Sequence, residues 1–197
     1  RNLPAVAMIV YGNRVIGVAL KELVRLLNLS EFRVIGTGTF IGQHSYADTE
    51  KLPMALGRPD AEDLATAFEF GKSLAKINWT SVESKGFMAA DIKGSIKFLF
   101  RLVPEGFLGS FVKPGSIDQN KCTDCGKCAR ECPMNAINPE NKKYVVNKKK
   151  CIHCMRCVRF CPENARSMRY TLLVFIKMFM KPAIVSRKNA RFMIVEV

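Results

Sequence analysis

The chain has 197 residues, 48% of them apolar and 24% charged, close to the averages for globular proteins; a disordered or collagen-like architecture is excluded, and one large or two small domains fit. The longest apolar runs, Ala5–Tyr11 and Leu172–Ile176, fall far short of the roughly 18 residues of a membrane-crossing helix, so no membrane span and a soluble protein are expected. The net charge is +14, unevenly placed: residues 1–117 hold 14 basic against 11 acidic groups, and residues 118–197 hold 17 against 6.

Arg1 opens the chain without an initiator methionine or the charged, apolar and small-residue pattern of a signal peptide, which predicts that the sequence begins inside a longer chain. The uninterrupted apolar run from Ala5 to Val10, closed by Tyr11-Gly12-Asn13, suits a strand buried on both faces of a parallel sheet. Leu20, Leu23, Val24 and Leu27 then recur at helical spacing with Lys21, Glu22 and Arg25 between them, the stripe of an amphipathic helix. Phe32 to Phe40 is rich in β-branched residues and reads as a second strand, completing a βαβ unit with an expected right-handed crossover. After a polar loop from Gly42 to Gly57, Pro59-Asp60 opens a further helix. Asp60 is its expected N-cap, Glu62 and Asp63 sit in the first turn, and Leu64, Phe68, Gly71 and Ala75 form the expected inward face as far as Ile77.

From Asn78 to Gln119 the pattern breaks up, punctuated by Gly86, Gly94, Pro104, Gly106, Gly109, Pro114 and Gly115, and reads as a linker that packs in places. Its aromatics, Trp79, Phe98, Phe100 and Phe107 among them, are expected on a neighbouring surface. Beyond Tyr170, the apolar stretches Leu172–Met180 and Phe192–Val195 carry no clear periodicity.

All eight cysteines lie between Cys122 and Cys161, in one internal repeat. The run from Cys122 through Cys125, Cys128 and Cys132 to Pro133 recurs, displaced by 29 residues, as Cys151, Cys154, Cys157, Cys161 and Pro162; Ala136 and Ala165 follow in register. A chain of this size with no export signal needs no disulfide staples, so metal ligation in a reducing, cytoplasmic compartment is the better reading. The spacing C-x2-C-x2-C-x3-C-P suits a [4Fe-4S] cubane. Three cysteines within seven residues wrap one loop around three irons, and the fourth iron takes a thiolate from elsewhere. The prolines turn the chain away and leave no N–H unpaired. Exchange of the last cysteine between the two runs assigns Cys122, Cys125, Cys128 and Cys161 to one cluster, and Cys151, Cys154, Cys157 and Cys132 to the other. Two tetrathiolate zinc sites are the rival, but zinc ribbons take two cysteines from each of two knuckles.

On these motifs, residues 117–169 resemble the bacterial two-[4Fe-4S] ferredoxins, which implies an α+β ferredoxin-like domain. One departure is Arg166, where that family carries an aliphatic residue matching Ile137; looser packing over the cluster completed by Cys161 is expected there. His153 lies within the second cysteine loop, either as a solvent-facing residue or as a modulator of potential. Lys148-Lys149-Lys150 leads into Cys151, either as a solvated run or as a docking patch.

A second resemblance rests on three strings: Pro4-Ala5-Val6-Ala7-Met8-Ile9-Val10-Tyr11-Gly12-Asn13-Arg14, Phe40-Ile41-Gly42-Gln43-His44-Ser45-Tyr46 and Gly57-Arg58-Pro59-Asp60. Residues 3–77 are similar to the last two βα units of a flavodoxin-like domain, and the whole chain is similar to flavodoxin–ferredoxin fusion proteins. The resemblance implies a partial βαβα unit at 1–77, a linker at 78–116, the ferredoxin domain at 117–169 and a C-terminal extension at 170–197. It also implies electron exchange with FMN, provided that the missing strands and phosphate loop are present in the intact chain. Tyr11, Gly12 and Asn13 match the loop that would border the flavin, with His44 and Tyr46 on a later loop. Gly36-Thr37-Gly38-Thr39-Phe40-Ile41-Gly42 fails as a dinucleotide fingerprint, because its third glycine falls one place late and no helix follows directly.

No catalytic constellation is present: there is no Walker loop, zinc-protease pair or nucleophile elbow. The expected function is therefore an electron carrier with two clusters, serving acidic redox proteins such as flavodoxins, ferredoxins or an oxidoreductase. The alternatives are the electron-input subunit of a larger oxidoreductase and, on charge alone, a basic nucleic-acid-binding protein. The last is disfavoured because the cationic residues surround the clusters, whose own negative charge they offset.

Overall fold

A computed structural model describes residues 3–14, 16–47, 51–78, 86–93, 111–139 and 144–195. Trp79, Phe98, Phe100 and Phe107 lie outside the described residues. The chain divides into two compact units, residues 1–102 with 180–197 and residues 103–179. The expected separate extension from residue 170 is thus divided: the unit boundary falls within its helix, and its last strand belongs to the first unit. Among the described residues, no helix is long and apolar enough to cross a membrane.

The first unit is built on a three-stranded mixed sheet. Strand β1 (Leu3–Tyr11) pairs in parallel with β2 (Phe32–Ile41), and α1 (Ala19–Leu29) connects them. Adjacent β2 residues point to opposite faces, so each side takes its own helix. Val34 joins Ala7, Leu20 and Val24 beneath α1, whereas Ile35 joins Leu74, Ile77 and Val195 on the side of α2 (Ala61–Ala75). The strand buried on both faces is therefore β2. The apolar run of β1 had carried that expectation, yet Met8 and Val10 are 56% and 70% exposed, because α2 lies over β2 and the C-terminal strand instead of over β1.

The inward face of α2 also differs from the expected one. Leu64 and Phe68 are exposed, Asp63 and Phe70 face inward from the helix, and Ile77 is buried just beyond its end. The cause lies in the first turn. Asp60 caps the helix, as the sequence suggested, and forms a reciprocal capping box with Asp63, but Asp63 also turns inward to accept two hydrogen bonds from the buried Arg58 guanidinium. That fixes the helix rotation and directs Phe70 between Phe40 and Phe192, at ring-centroid distances of 5.8 and 5.1 Å. The fingerprint-like glycines serve this packing: a Cβ on Gly36 would lie 2.9 Å from Leu74, and one on Gly38 would lie 2.6 Å from Phe40.

The two apolar stretches without clear periodicity become α5 (Leu173–Val185) and β7 (Arg191–Ile194). Strand β7 pairs antiparallel with β2 on the side away from β1, so the sheet order is β1-β2-β7 instead of a purely parallel pair.

The second unit contains two small antiparallel ribbons. Strand β3 (Val112–Ile117) pairs with β6 (Arg166–Tyr170), and β4 (Ile137–Asn138) pairs with β5 (Val145–Val146). Between them lie two single-turn helices, α3 (Lys127–Arg130) and α4 (Arg156–Arg159). Each ribbon joins a strand entering one cysteine run to a strand leaving the other, so the sequence repeat is folded as an interlocked pair.

Candidate metal centre

The cysteine loops are shaped by pairs of residues 29 positions apart. Asp118 and Asn147 each accept a hydrogen bond through Oδ1, from Asn120 N at 3.0 Å and from Lys149 N at 2.9 Å. Their carbonyls accept from the amides of Cys122 and Cys151 at 3.1 and 3.0 Å. These Asx turns set the direction in which the first cysteine of each run enters its loop. The loops then reverse through left-handed residues, again in matched pairs: Asp124 and His153 (φ 59° and 55°), Gly126 and Met155 (68° and 59°), and Asn135 and Asn164 (46° and 47°). Glycine and asparagine adopt this region at little cost; Met155 does so while fully buried.

Two crossed backbone bonds lock the halves together, Asp118 N to Ala165 O at 2.8 Å and Asn147 N to Ala136 O at 2.7 Å. They hold the turn after each Cys-Pro against the start of the opposite loop. In each turn an amide donates to the cysteine sulfur, Ala136 N to Cys132 Sγ at 3.3 Å and Ala165 N to Cys161 Sγ at 3.2 Å.

Two hollows of similar size result, each open to solvent and about 360 and 350 Å³ with that open space included. The first is lined by Cys122, Cys125, Cys128 and Cys161, and the second by Cys132, Cys151, Cys154 and Cys157. All eight are free thiols. Cys125 and Cys154 are exposed, Cys157 is buried and the others are intermediate. Burial pushes the Cys157 thiol up to about 11, so a metal entering there must displace a proton. Among the described residues, no three His, Cys, Asp or Glu side chains converge on a point where a single ion would sit. The thiols instead rim two hollows, a donor set suited in its chemistry to a polynuclear sulfide cluster.

The surroundings of the hollows are unequal. Ile117, Lys127, Tyr144, Glu163 and Arg166 border the first, whereas Ile137, Val146, Met155 and Arg156 border the second. Arg166 does not loosen the structure as expected. It is 4% exposed and ties the two ribbons together, donating from Nη1 to Gly115 O at 2.9 Å and from Nη2 to Tyr144 O at 2.8 Å. Tyr144, which sequence reasoning missed, donates its hydroxyl to Asp124 O at 3.1 Å. Asp118 and Asn147 were missed as well, although extending the cysteine repeat four residues upstream would have paired them. On the outer face, Glu131 accepts from Arg156 at 2.8 Å, and the half-exposed Phe160 ring lies under Arg156 at 4.7 Å and Lys127 at 6.0 Å. His153 is partly buried, and Lys148, Lys149 and Lys150 are exposed on the turn before Cys151.

Tyr11, Gly12 and Asn13 lie at the end of β1, in the first unit. The Gly12 backbone is covered by His44, whose Cδ2 would stand 2.4 Å from an added Cβ, and the His44 ring packs at a tilt against Tyr46 with centroids 5.0 Å apart. The buried Asn13 carboxamide is held by the C-terminal segment: its Nδ2 donates to Ser186 O at 2.6 Å, and its Oδ1 accepts from Lys188 N at 2.9 Å. The polar end of Asn13 is thus engaged within the chain.

Residues 115–163 match the protein-family model described as a 4Fe-4S dicluster domain. The chain is 52% identical over 31 residues to a Ferredoxin-1 of Rhodobacter capsulatus, a stretch covering 16% of this chain and 48% of that protein. A second Rhodobacter capsulatus protein called Ferredoxin-1 matches with the same identity and coverage. The chain thus spans about half the length of the curated relatives it matches. The cysteine-bearing unit contains a ferredoxin-type 4Fe-4S domain within a mixed α/β chain.

Proposed function

We propose that this chain is a one-electron carrier that holds two [4Fe-4S] clusters, one on Cys122, Cys125, Cys128 and Cys161 and the other on Cys132, Cys151, Cys154 and Cys157. One observation carries the proposal: each hollow is rimmed by three cysteines of one run and the Cys-Pro cysteine of the other. Bound there, each cluster would supply a one-electron couple of low potential. The chain's own part is to present thiolates at fixed positions, to donate Ala136 and Ala165 amides to two of them, and to keep Cys125 and Cys154 at the surface where electrons enter and leave.

The partner class follows from charge. Lys148, Lys149, Lys150, Arg156 and Arg159 lie in or just before the second cysteine run, and Arg156 spends its charge partly on Glu131. An acidic redox protein, a flavodoxin, ferredoxin or oxidoreductase subunit, is steered towards such a face. Exchange with FMN has less in its favour, since Asn13 is held by residues 186 and 188 and His44 covers Gly12. Flavin content of the full chain tests that branch separately.

The experiment for the main reading is metal and sulfide analysis of anaerobically purified protein. The proposal expects about eight irons and eight acid-labile sulfides per chain, with a broad visible absorption that bleaches on reduction. Stoichiometric zinc without sulfide would overturn it.

A further inference from the structure

In a module folded from two copies of one motif, the two clusters would have similar potentials if their surroundings obeyed the repeat. They do not. Position 137 in the first copy is Ile137, 6% exposed, and position 166 in the second is Arg166, 4% exposed. We propose that Arg166 is a built-in cation that makes the two couples unequal, raising the reduction potential of the cluster on Cys122, Cys125, Cys128 and Cys161 above that of the other. The inference rests on the ligation proposed above.

A buried guanidinium is costly unless its charge is compensated. Arg166 has two carbonyl acceptors, Gly115 O and Tyr144 O, and its buried Nε–H has no acceptor among the described residues. None of these contacts supplies a negative charge. Arg166 also lines the hollow of the first cysteine set, beside thiols that become anionic on binding metal. Glu163 lines the same hollow but makes no ion pair with Arg166, so the counter-charge for Arg166 is the tetrathiolate cluster itself, about −2 when oxidised and −3 when reduced. A cation in the wall stabilises the more negative state more strongly, which favours uptake of the electron.

The equivalent wall of the second hollow is apolar. Ile137 takes the place of Arg166 there, alongside Val146 and Met155, and the cation on its rim, Arg156, is half-exposed and paired with Glu131. The guanidinium of the second hollow thus stands half-exposed at its rim with a carboxylate beside it, whereas that of the first is buried and has no carboxylate partner among the described residues. The carbonyl bonds to Gly115 and Tyr144 fix where the charge sits, so Arg166 acts from a defined position.

The test is the pair of midpoint potentials in the full chain, from EPR-monitored redox titration and protein-film voltammetry, for wild type and for Arg166→Ile, Arg166→Gln and Arg166→Lys. Wild type should show two couples whose reduction equilibria differ at least tenfold, which is about 59 mV for one electron. Arg166→Ile, which restores the repeat, and Arg166→Gln, which keeps donors for the carbonyls, should each lower the upper couple at least tenfold and narrow the gap. Arg166→Lys should keep most of it. A residue that only braced the ribbons would change unfolding and leave the gap in place. If the wild-type couples coincide, or if the gap survives loss of the charge in Arg166→Gln, the inference is overturned. Wild type without two iron-sulfur clusters would overturn the ligation instead, and iron and sulfide content distinguishes that failure from the other.

Discussion

The contact that fixes α2 is open to a quantitative test. Arg58 and Asp63 are 9% and 3% exposed, and the pair is bidentate. Asp63→Ala removes the carboxylate and leaves the guanidinium buried, a change that costs about 3–5 kcal/mol in general. Arg58 keeps Asp60 at 3.4 Å and the Lys188 carbonyl at 3.2 Å, so the low end of that range, about 3 kcal/mol, applies. At about 1.4 kcal/mol per tenfold change, amide exchange in α2 and β2 should quicken roughly 100-fold in the full chain. Arg58→Met combined with Asp63→Leu should recover most of the protection, because a packed apolar pair replaces a satisfied ionic one. The pH dependence has a definite sign. The Arg58 hydrogen bonds hold the Asp63 carboxyl below the usual carboxylate range, so the stabilisation is complete above the unfolded value of about 4 and is lost as pH falls through the lower folded value. Less than a tenfold change in Asp63→Ala, or a double variant as labile as the single one, would refute this account of the helix.

Two further outcomes follow from the same geometry. Gly86→Ala would place a Cβ 2.8 Å from Val34 O and 2.9 Å from Val34 N, backbone atoms that cannot step aside, so urea unfolding should show a loss of about 1–3 kcal/mol in the first unit while iron content stays unchanged. Lys148→Glu with Lys149→Glu should slow electron transfer to an acidic ferredoxin or flavodoxin roughly tenfold at low salt, with the difference shrinking as salt screens charges beyond about 8–10 Å; rates indifferent to both changes would remove these lysines from the docking face.

The parts of the fold written in local pattern were legible. The stripe Leu20, Leu23, Val24 and Leu27 became α1, the β-branched run after Phe32 became β2, and Asp60 capped α2. What escaped was tertiary. Nothing in Leu64 or Phe68 reveals that Arg58 will turn Asp63 inward and rotate the helix, and nothing in Phe192–Val195 names β2, more than 150 residues earlier, as its partner. The eight cysteines were conspicuous because a compact cluster demands donors at short, repeated spacings. Arg166 stood out only as a break in the repeat. Its consequence depended on knowing that it is buried, bonded to two carbonyls, and set in the wall of one hollow.

The central claim is that the two cysteine runs exchange their last ligand, and paired substitutions test it most directly. Cys132→Ala combined with Cys154→Ala removes two cysteines from the second hollow and none from the first. Cys132→Ala combined with Cys125→Ala removes one from each. Interlocked ligation predicts that the first double variant keeps one intact [4Fe-4S] cluster, with half the wild-type iron and sulfide and one EPR signal on reduction, and that the second keeps none intact. If the first pair destroys both clusters and the second pair spares one, each run ligates its own cluster and the account is contradicted.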